Sequence, residues 1–154
     1  MKKILRILLL LLTLLVLVIS IFLGINYAPD KSFEELKEKW AYKNSQFLEI
    51  DGMQAHYRIS GKGKPIVLIH GTGASLHTWE KWTTILEQDF QVISLDIPGF
   101  GLTGTNEEGI YTLAYYANFL DTFLQRINLT PVPLLAITWV GLLLGLTRRY
   151  SLKR

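Results

Sequence analysis

Ile7 to Ile25 is an uncharged run of nineteen residues, ILLLLLTLLVLVISIFLGI. At 1.5 Å per residue, a helix of that length crosses a hydrocarbon core of about 30 Å. A buried core helix this long would keep a polar face, and the run has none. A cleaved signal has an apolar core of about 7–15 residues and ends at small residues. Here the exit reads Asn26-Tyr27-Ala28-Pro29, without that pattern. The run therefore predicts an uncleaved transmembrane anchor over 7–25, behind a basic tip at 1–6.

Beyond residue 26 the periodicity changes. Ser32 precedes Phe33, Glu34 and Glu35 in a capping-box pattern. The helix it opens, about 33–43, carries Phe33, Leu36 and Trp40 at helical spacing and forms a linker within 26–44. Phe47–Ile50 and Met53–Ile59 are β-rich runs joined by Asp51-Gly52, a strong hairpin signal. Ile66–Ile69 is continuously apolar, as expected of a strand buried on both faces. A glycine-containing loop at 70–75 follows. Leu76–Leu86 then reads as a helix with Leu76, Trp79, Trp82, Thr83 and Leu86 on one side. Gln91–Leu95 reads as a strand, Asp96–Gly104 as a loop and Tyr111–Leu129 as a long amphipathic helix. Strands alternating with helices predict an α/β domain over 45–130: a hairpin, then parallel strands with helices.

Pro131–Leu146 is uncharged, followed by Thr147 and a basic tail at 148–154. The segment 131–147 is either a buried strand and helix or a second membrane span.

Charge sharpens the membrane reading. The formal net charge of +3 is not spread evenly over the 154 residues. Lys2, Lys3 and Arg6 make the first 25 residues +3, and Arg148, Arg149, Lys153 and Arg154 make the last 24 residues +4. Between them, nine bases meet thirteen acids, so 26–130 is mildly acidic. A nucleic-acid partner needs clustered bases on the folded part, and none are expected. Basic ends beside apolar runs point to the lipid bilayer as partner. The N-terminus is expected in the cytoplasm and the domain outside it, single-pass, or two-pass if 131–147 also spans. With no cysteine there is no disulfide and no catalytic thiol. No two histidines have the spacing of a metal site on one helix, so no metal is expected.

Two stretches carry chemistry: Ile66–Trp82, IVLIHGTGASLHTWEKW, and Val92–Gly104, VISLDIPGFGLTG. Their order and spacing resemble the N-terminal half of the α/β-hydrolase fold family. There a buried strand runs into His-Gly-x-Gly, a helix and strand follow, and then comes Asp-x-Pro-Gly-x-Gly. Acyl transfer builds negative charge on a carbonyl oxygen, which fixed backbone N–H groups stabilise. Gly71-Thr72-Gly73 is the loop placed to supply such groups, with the Thr72 amide in the role the family implies. Asp96 resembles the family's strand-end aspartate and is expected to secure the Pro98-Gly99-Phe100-Gly101 loop. By the same resemblance His70 is a structural loop residue and the reaction needs no cofactor. His77 is expected in packing or pocket lining beside Trp79 and Trp82, and His56 is expected to be exposed. Ser75 is expected to cap the amide of Thr78 or its neighbour.

The family's nucleophile stands on a G-x-S-x-G turn, followed by the acid and then the histidine. That elbow is expected near 135–142, where the sequence has no serine, aspartate or cysteine. Ser94 falls within a strand and Ser151 in the basic tail. No catalytic residue is assigned. The codons of Ala136–Gly141, read one base earlier, can encode Gly-Asn-Asn-Leu-Gly-Gly, so a frameshifted or decayed gene is one expectation. The reading that follows is a membrane-anchored, truncated member of the family, inactive as this chain. Its intact relatives would hydrolyse ester-like or related small substrates. The alternative is a small two-span membrane protein acting through protein partners.

Overall fold

A computed structural model describes residues 2–129 and the backbone of 134–136. The residues up to Ser32 form one compact unit and those from Phe33 onward another.

The first unit holds helix α1, Lys2–Ile25. It is long and apolar enough to cross a membrane or to serve as a signal sequence. None of its side chains is buried in the protein. Thr13 returns its hydroxyl to the Leu10 carbonyl at 2.9 Å, which removes that polar group from the helix surface.

The second unit opens with helix α2, Phe33–Trp40, and a mixed sheet follows. Strands β1 (Ser45–Ile50) and β2 (Met53–Ser60) pair antiparallel, with Ile50 opposite Met53. Asp51 and Gly52 both take positive φ, 49° and 76°, as a two-residue hairpin of this hand requires. Strand β3 is Lys64–Ile69, and strand β4 is Phe90–Leu95. They run parallel, with Val67 opposite Ile93, and β2 lies antiparallel on the other side of β4. Strand β5, Leu134–Ala136, pairs parallel with β3. The order across the sheet is β1-β2-β4-β3-β5.

The apolar run of β3 is buried on both faces, as its pattern predicts. Val67 and Ile69 join one core cluster, with helix α4 (Leu113–Arg126) packed through Phe119, Leu120, Phe123 and Leu124. Leu68 points the other way, to Trp79 and Val92. The α4 stripe repeats at i, i+1, i+4 and i+5, so it faces the sheet along its length. Tyr111 and Thr112 lie outside the helix. Thr112 is its cap, its hydroxyl accepting the Tyr115 amide at 3.2 Å. At the other end Asn128 takes φ 57°, and the Leu129 amide bonds back to Leu124 at 2.8 Å. That left-handed stop ends the helix before Leu129.

The expected helix over 76–86 divides in two. Leu76–Trp79 is a 3₁₀ turn, and α3 is Glu80–Leu86. Leu76, Trp79 and Thr83 are buried, but Trp82 is 53% exposed. The inward stripe advances from Trp79 to Thr83 by four residues, which leaves Trp82 beside it.

Candidate active-site loops

Strand β3 ends at Ile69, and the chain turns through His70, Gly71, Thr72 and Gly73. Gly73 has φ 70°, a left-handed angle that suits glycine. Thr72 and Gly73 are exposed. Among the described residues, no group accepts the backbone N–H of either. Among the described residues, the loop therefore presents two donors without an acceptor at the C-terminal end of a buried strand.

His70 braces this loop. Its Nδ1–H donates to the Gly71 carbonyl at 2.8 Å, and its Nε2 accepts the Ile97 amide at 3.1 Å. Both nitrogens are used by a neutral ring, and burial pushes its pKa down, against the Gly71 carbonyl and Asp96. The Phe100 ring meets it edge-on at 5.8 Å.

Asp96 ends β4 and is fully buried. Its Oδ1 accepts the Leu76 amide at 2.7 Å. Its Oδ2 accepts His56 Nδ1–H at 2.7 Å and the Leu102 amide at 2.9 Å. Burial alone raises the carboxyl pKa, but these donors outweigh it and hold the group below its ordinary value. The Thr103 hydroxyl donates to the Asp96 carbonyl at 2.7 Å. Asp96 thus fastens the start of the 76–79 turn, the 97–104 loop and β2 to one point.

The second loop is shaped around that carboxylate. Pro98 offers its carbonyl to the Tyr116 hydroxyl at 3.2 Å, which ties the loop to α4. Gly99 has φ 87° and its amide donates to the Gly104 carbonyl at 2.6 Å. Gly101 has φ 54°, and a Cβ there would fall onto the Asp96 carboxylate. So Gly71, Thr72 and Gly73 form one loop, and Asp96, Pro98, Gly99 and Gly101 build the other. The Leu76–Asp96 and His70–Ile97 bonds join the two.

Two expectations need correction, and a third holds with different neighbours. His56 is fully buried, not exposed. β2 lies inside the sheet, and the imidazole sits between Asp96, Ser45 and a stacked Phe47 ring at 4.9 Å. Ser75 heads the turn but makes no side-chain cap. Thr78 bonds instead to the Ser75 carbonyl at 3.0 Å, and the Ser75 hydroxyl turns to His77 Nδ1 at 3.1 Å. His77 does line a cavity, but its ring partners are Tyr42, stacked at 4.8 Å, and Trp40, edge-on at 6.0 Å.

One cluster escaped the sequence reading. Ser45 Oγ lies 2.7 Å from His56 Nε2, and His56 Nδ1 lies 2.7 Å from Asp96. With Nδ1–H committed to the carboxylate, Nε2 accepts the Ser45 hydroxyl, while Ser45 Oγ accepts the Tyr42 amide at 2.9 Å. The order imitates a hydrolytic relay, yet the Phe47 ring covers the imidazole, and the cluster braces β1, β2 and β4. Its members stand 11 and 40 residues apart, so no local pattern announces it. No group of three or more potential metal-ligating side chains occurs among the described residues. The expected elbow lies largely outside the described residues, which reach only to the backbone of Ala136.

Comparison with known proteins agrees with this geometry. A family model described as the alpha/beta hydrolase fold matches residues 64–144. A 2-hydroxy-6-oxo-6-(2'-aminophenyl)hexa-2,4-dienoic acid hydrolase from Metapseudomonas resinovorans is 33% identical over 86 residues, 54% of this chain and 29% of the relative. A pimeloyl-[acyl-carrier protein] methyl ester esterase from Vibrio atlanticus is 33% identical over 90 residues, 58% of this chain and 31% of the relative. The chain thus spans under a third of the length of these relatives. Among solved structures, the Cif epoxide hydrolase from Acinetobacter nosocomialis aligns with a TM-score of 0.60 at 28% identity, covering 83% of this chain and 43% of that one. An epoxide hydrolase from Vigna radiata gives 0.62 at 23% identity, covering 71% and 37%, a likeness of fold alone.

Proposed function

We infer that this chain, which belongs to the α/β-hydrolase fold family, is a membrane-anchored member carrying the family's oxyanion-loop half. The family reaction in view is hydrolysis of ester-like or related small substrates without a cofactor. The observation that carries this reading is the pair of amides at Thr72 and Gly73, without an acceptor among the described residues and held at the end of β3 by His70 and Asp96. Donors aimed at a developing oxyanion, and fixed in advance, are what acyl transfer needs. Similarity to a curated hydrolase and a curated esterase supports the substrate class.

These 154 residues do not by themselves turn over an ester. The family match extends to residue 144 and takes in Ala136-Ile137-Thr138-Trp139-Val140. In the family's G-x-S-x-G both glycines let the chain make a sharp turn, and serine attacks. Here alanine, threonine and valine stand in that order. Thr138 is a hydroxyl the sequence reading passed over, on a β-branched residue between two residues bulkier than glycine. Helix α1 is the anchor, with Lys2, Lys3 and Arg6 on the cytoplasmic side and the domain outside. The two-span alternative draws on the apolar stretch 131–147. The pairing of β5 with β3 favours the hydrolase-like reading of that stretch.

The test uses the full chain in detergent, with p-nitrophenyl acetate and a fluorophosphonate probe. The expected result is hydrolysis at the protein-free rate and no labelling. Stoichiometric labelling lost in Ser75→Ala, or in Thr138→Ala, would overturn the inactivity.

A further inference from the structure

A cavity of about 540 Å³ lies between α2 and the joined loops, within the size range of sites that enclose small ligands. Helix α2 bridges this space rather than filling it. At the start of the helix the Phe33 ring meets Phe47 edge-on at 5.7 Å, and at its end the Trp40 carbonyl accepts His77 Nε2–H at 2.8 Å. Leu36, between these two ties, lines the cavity, and no residue of α2 is fully buried. Gly101 and Leu102 of the 97–104 loop line it as well. None of residues 71–73 does, so the cavity is separate from the loop that carries the proposed reaction.

The polar members of the lining are Ser75, His77, Glu80 and Asp96, and each has neighbours of its own within the protein. The Ser75 hydroxyl lies 3.1 Å from His77 Nδ1, and the far side of that ring is tied to Trp40. Asp96 accepts from His56, Leu76 and Leu102. Burial pushes the Tyr42 hydroxyl pKa up, and the Glu80 carboxylate beside it adds to the shift. Arg58 lies over the same Tyr42 ring at 4.5 Å. Lys39 Nζ stands 5.0 Å from the Trp40 ring centroid, so that aromatic surface already has its cation. The lining therefore holds no counter-charge in reserve for a charged ligand. It also suits water poorly, because an ordered water needs about two to four polar partners. A gap beside apolar side chains forfeits dispersion contacts, and an apolar occupant restores them.

We propose that this cavity binds an uncharged hydrocarbon group of a small molecule, held beneath α2 against Leu36, Leu102 and Trp40. An ammonium or a carboxylate of the same shape brings a charge that the lining does not pair, and loses hydration in doing so. The hydrocarbon has two possible sources, a dissolved molecule or the acyl chain of a bilayer lipid, and two arms of one experiment separate them.

The experiment is NMR of the full chain, with isotope-labelled leucine methyls, in lipid nanodiscs at pH 7. In the first arm the lipid is perdeuterated, and toluene, benzylammonium or benzoate is added. Toluene is expected to give saturable shifts of the Leu36 and Leu102 methyls and cross-relaxation with them. The two ions are expected to bind at least about tenfold more weakly, since an unpaired charge against apolar walls costs that much or more. In the second arm protonated lipid is used and no probe is added. Cross-relaxation from acyl chains to the same two methyls assigns the site to lipid. Its absence, with toluene bound in the first arm, assigns the site to a dissolved molecule. Leu36 is half-exposed on α2. Leu36→Trp should abolish either signal at Leu102 by filling the cavity, and Leu36→Asp by charging it, with folding checked by circular dichroism. The proposal is overturned if neither toluene nor the acyl chains reach these methyls, if the ions bind as tightly as toluene, or if a folded Leu36 variant keeps the signal at Leu102.

Discussion

Asp96 and His70 are buried ionisable side chains that fix their loops through opposite charge states, and each gives a distinct pH signature. The folded Asp96 carboxyl lies below its ordinary value of 3.8. Its contribution to stability is present above that value and is lost as pH falls through the lower folded one. His70 is also depressed, below 6.5, because its neutral form is the one buried. The unfolded chain therefore binds the extra proton first, and stability drops as pH falls from about 6.5 towards the folded value. Urea midpoints measured from pH 8 to pH 3 should show both losses. His70→Gln should flatten the upper one and leave the lower. Asp96→Asn should destabilise by about 2–4 kcal/mol at pH 7, because it turns a donor toward buried amides that need an acceptor. A second residue-scale prediction concerns glycine. Gly101 and Gly109 both take positive φ, 54° and 65°, but only at Gly101 would a Cβ strike the Asp96 carboxylate. Gly109→Ala should cost about 1–2 kcal/mol for its backbone angle alone. Gly101→Ala should cost clearly more in the same denaturation assay, and equal costs would show that the loop yields freely.

Among the elements, α4 and β3 carry most of the packing that positions the loops. Phe123 is fully buried in the cluster with Val67, Ile69 and Tyr57, whose ring it meets edge-on at 5.2 Å. Phe123→Ala should cost about 3–5 kcal/mol by chemical denaturation. Leu113, at the exposed start of the same helix, is 39% accessible, and Leu113→Ala should stay within about 0.5 kcal/mol. Equal costs would mean that the helix does not pack as described. The strands and their order of appearance were legible because continuous apolar runs and Asp-Gly punctuation are local signals. The ends of α4 were less so. Thr112 and Asn128 look like ordinary helix residues until their side chain and backbone angle are seen to close the helix. The break at Glu80 between the 3₁₀ turn and α3 was equally hidden, since both halves continue one apolar stripe.

For the whole molecule, the membrane topology has a direct test. In sealed inside-out vesicles the chain should resist carbonate extraction, and residues 26–130 should be shielded from added protease. Release into the soluble fraction with a new N-terminus near Pro29 would show a cleaved signal instead. The sequence by itself determined the apolar N-terminal helix, the hairpin-then-parallel sheet and the two loop motifs. Each rests on residues close together in the chain, where periodicity, turn chemistry and glycine spacing act. It also placed Asp96 as the anchor of its loop. Only the tertiary structure decided where that anchor holds. The carboxylate reaches back 40 residues to His56 and 20 to Leu76, because β2 and β4 become neighbours only when the sheet forms. The burial of His56 has the same origin: a hairpin strand is exposed or interior according to what pairs with its far edge, here β4. The cavity under α2 belongs to the fold as well. It needs Trp40 and His77, 37 residues apart, to meet through a hydrogen bond that no local pattern encodes.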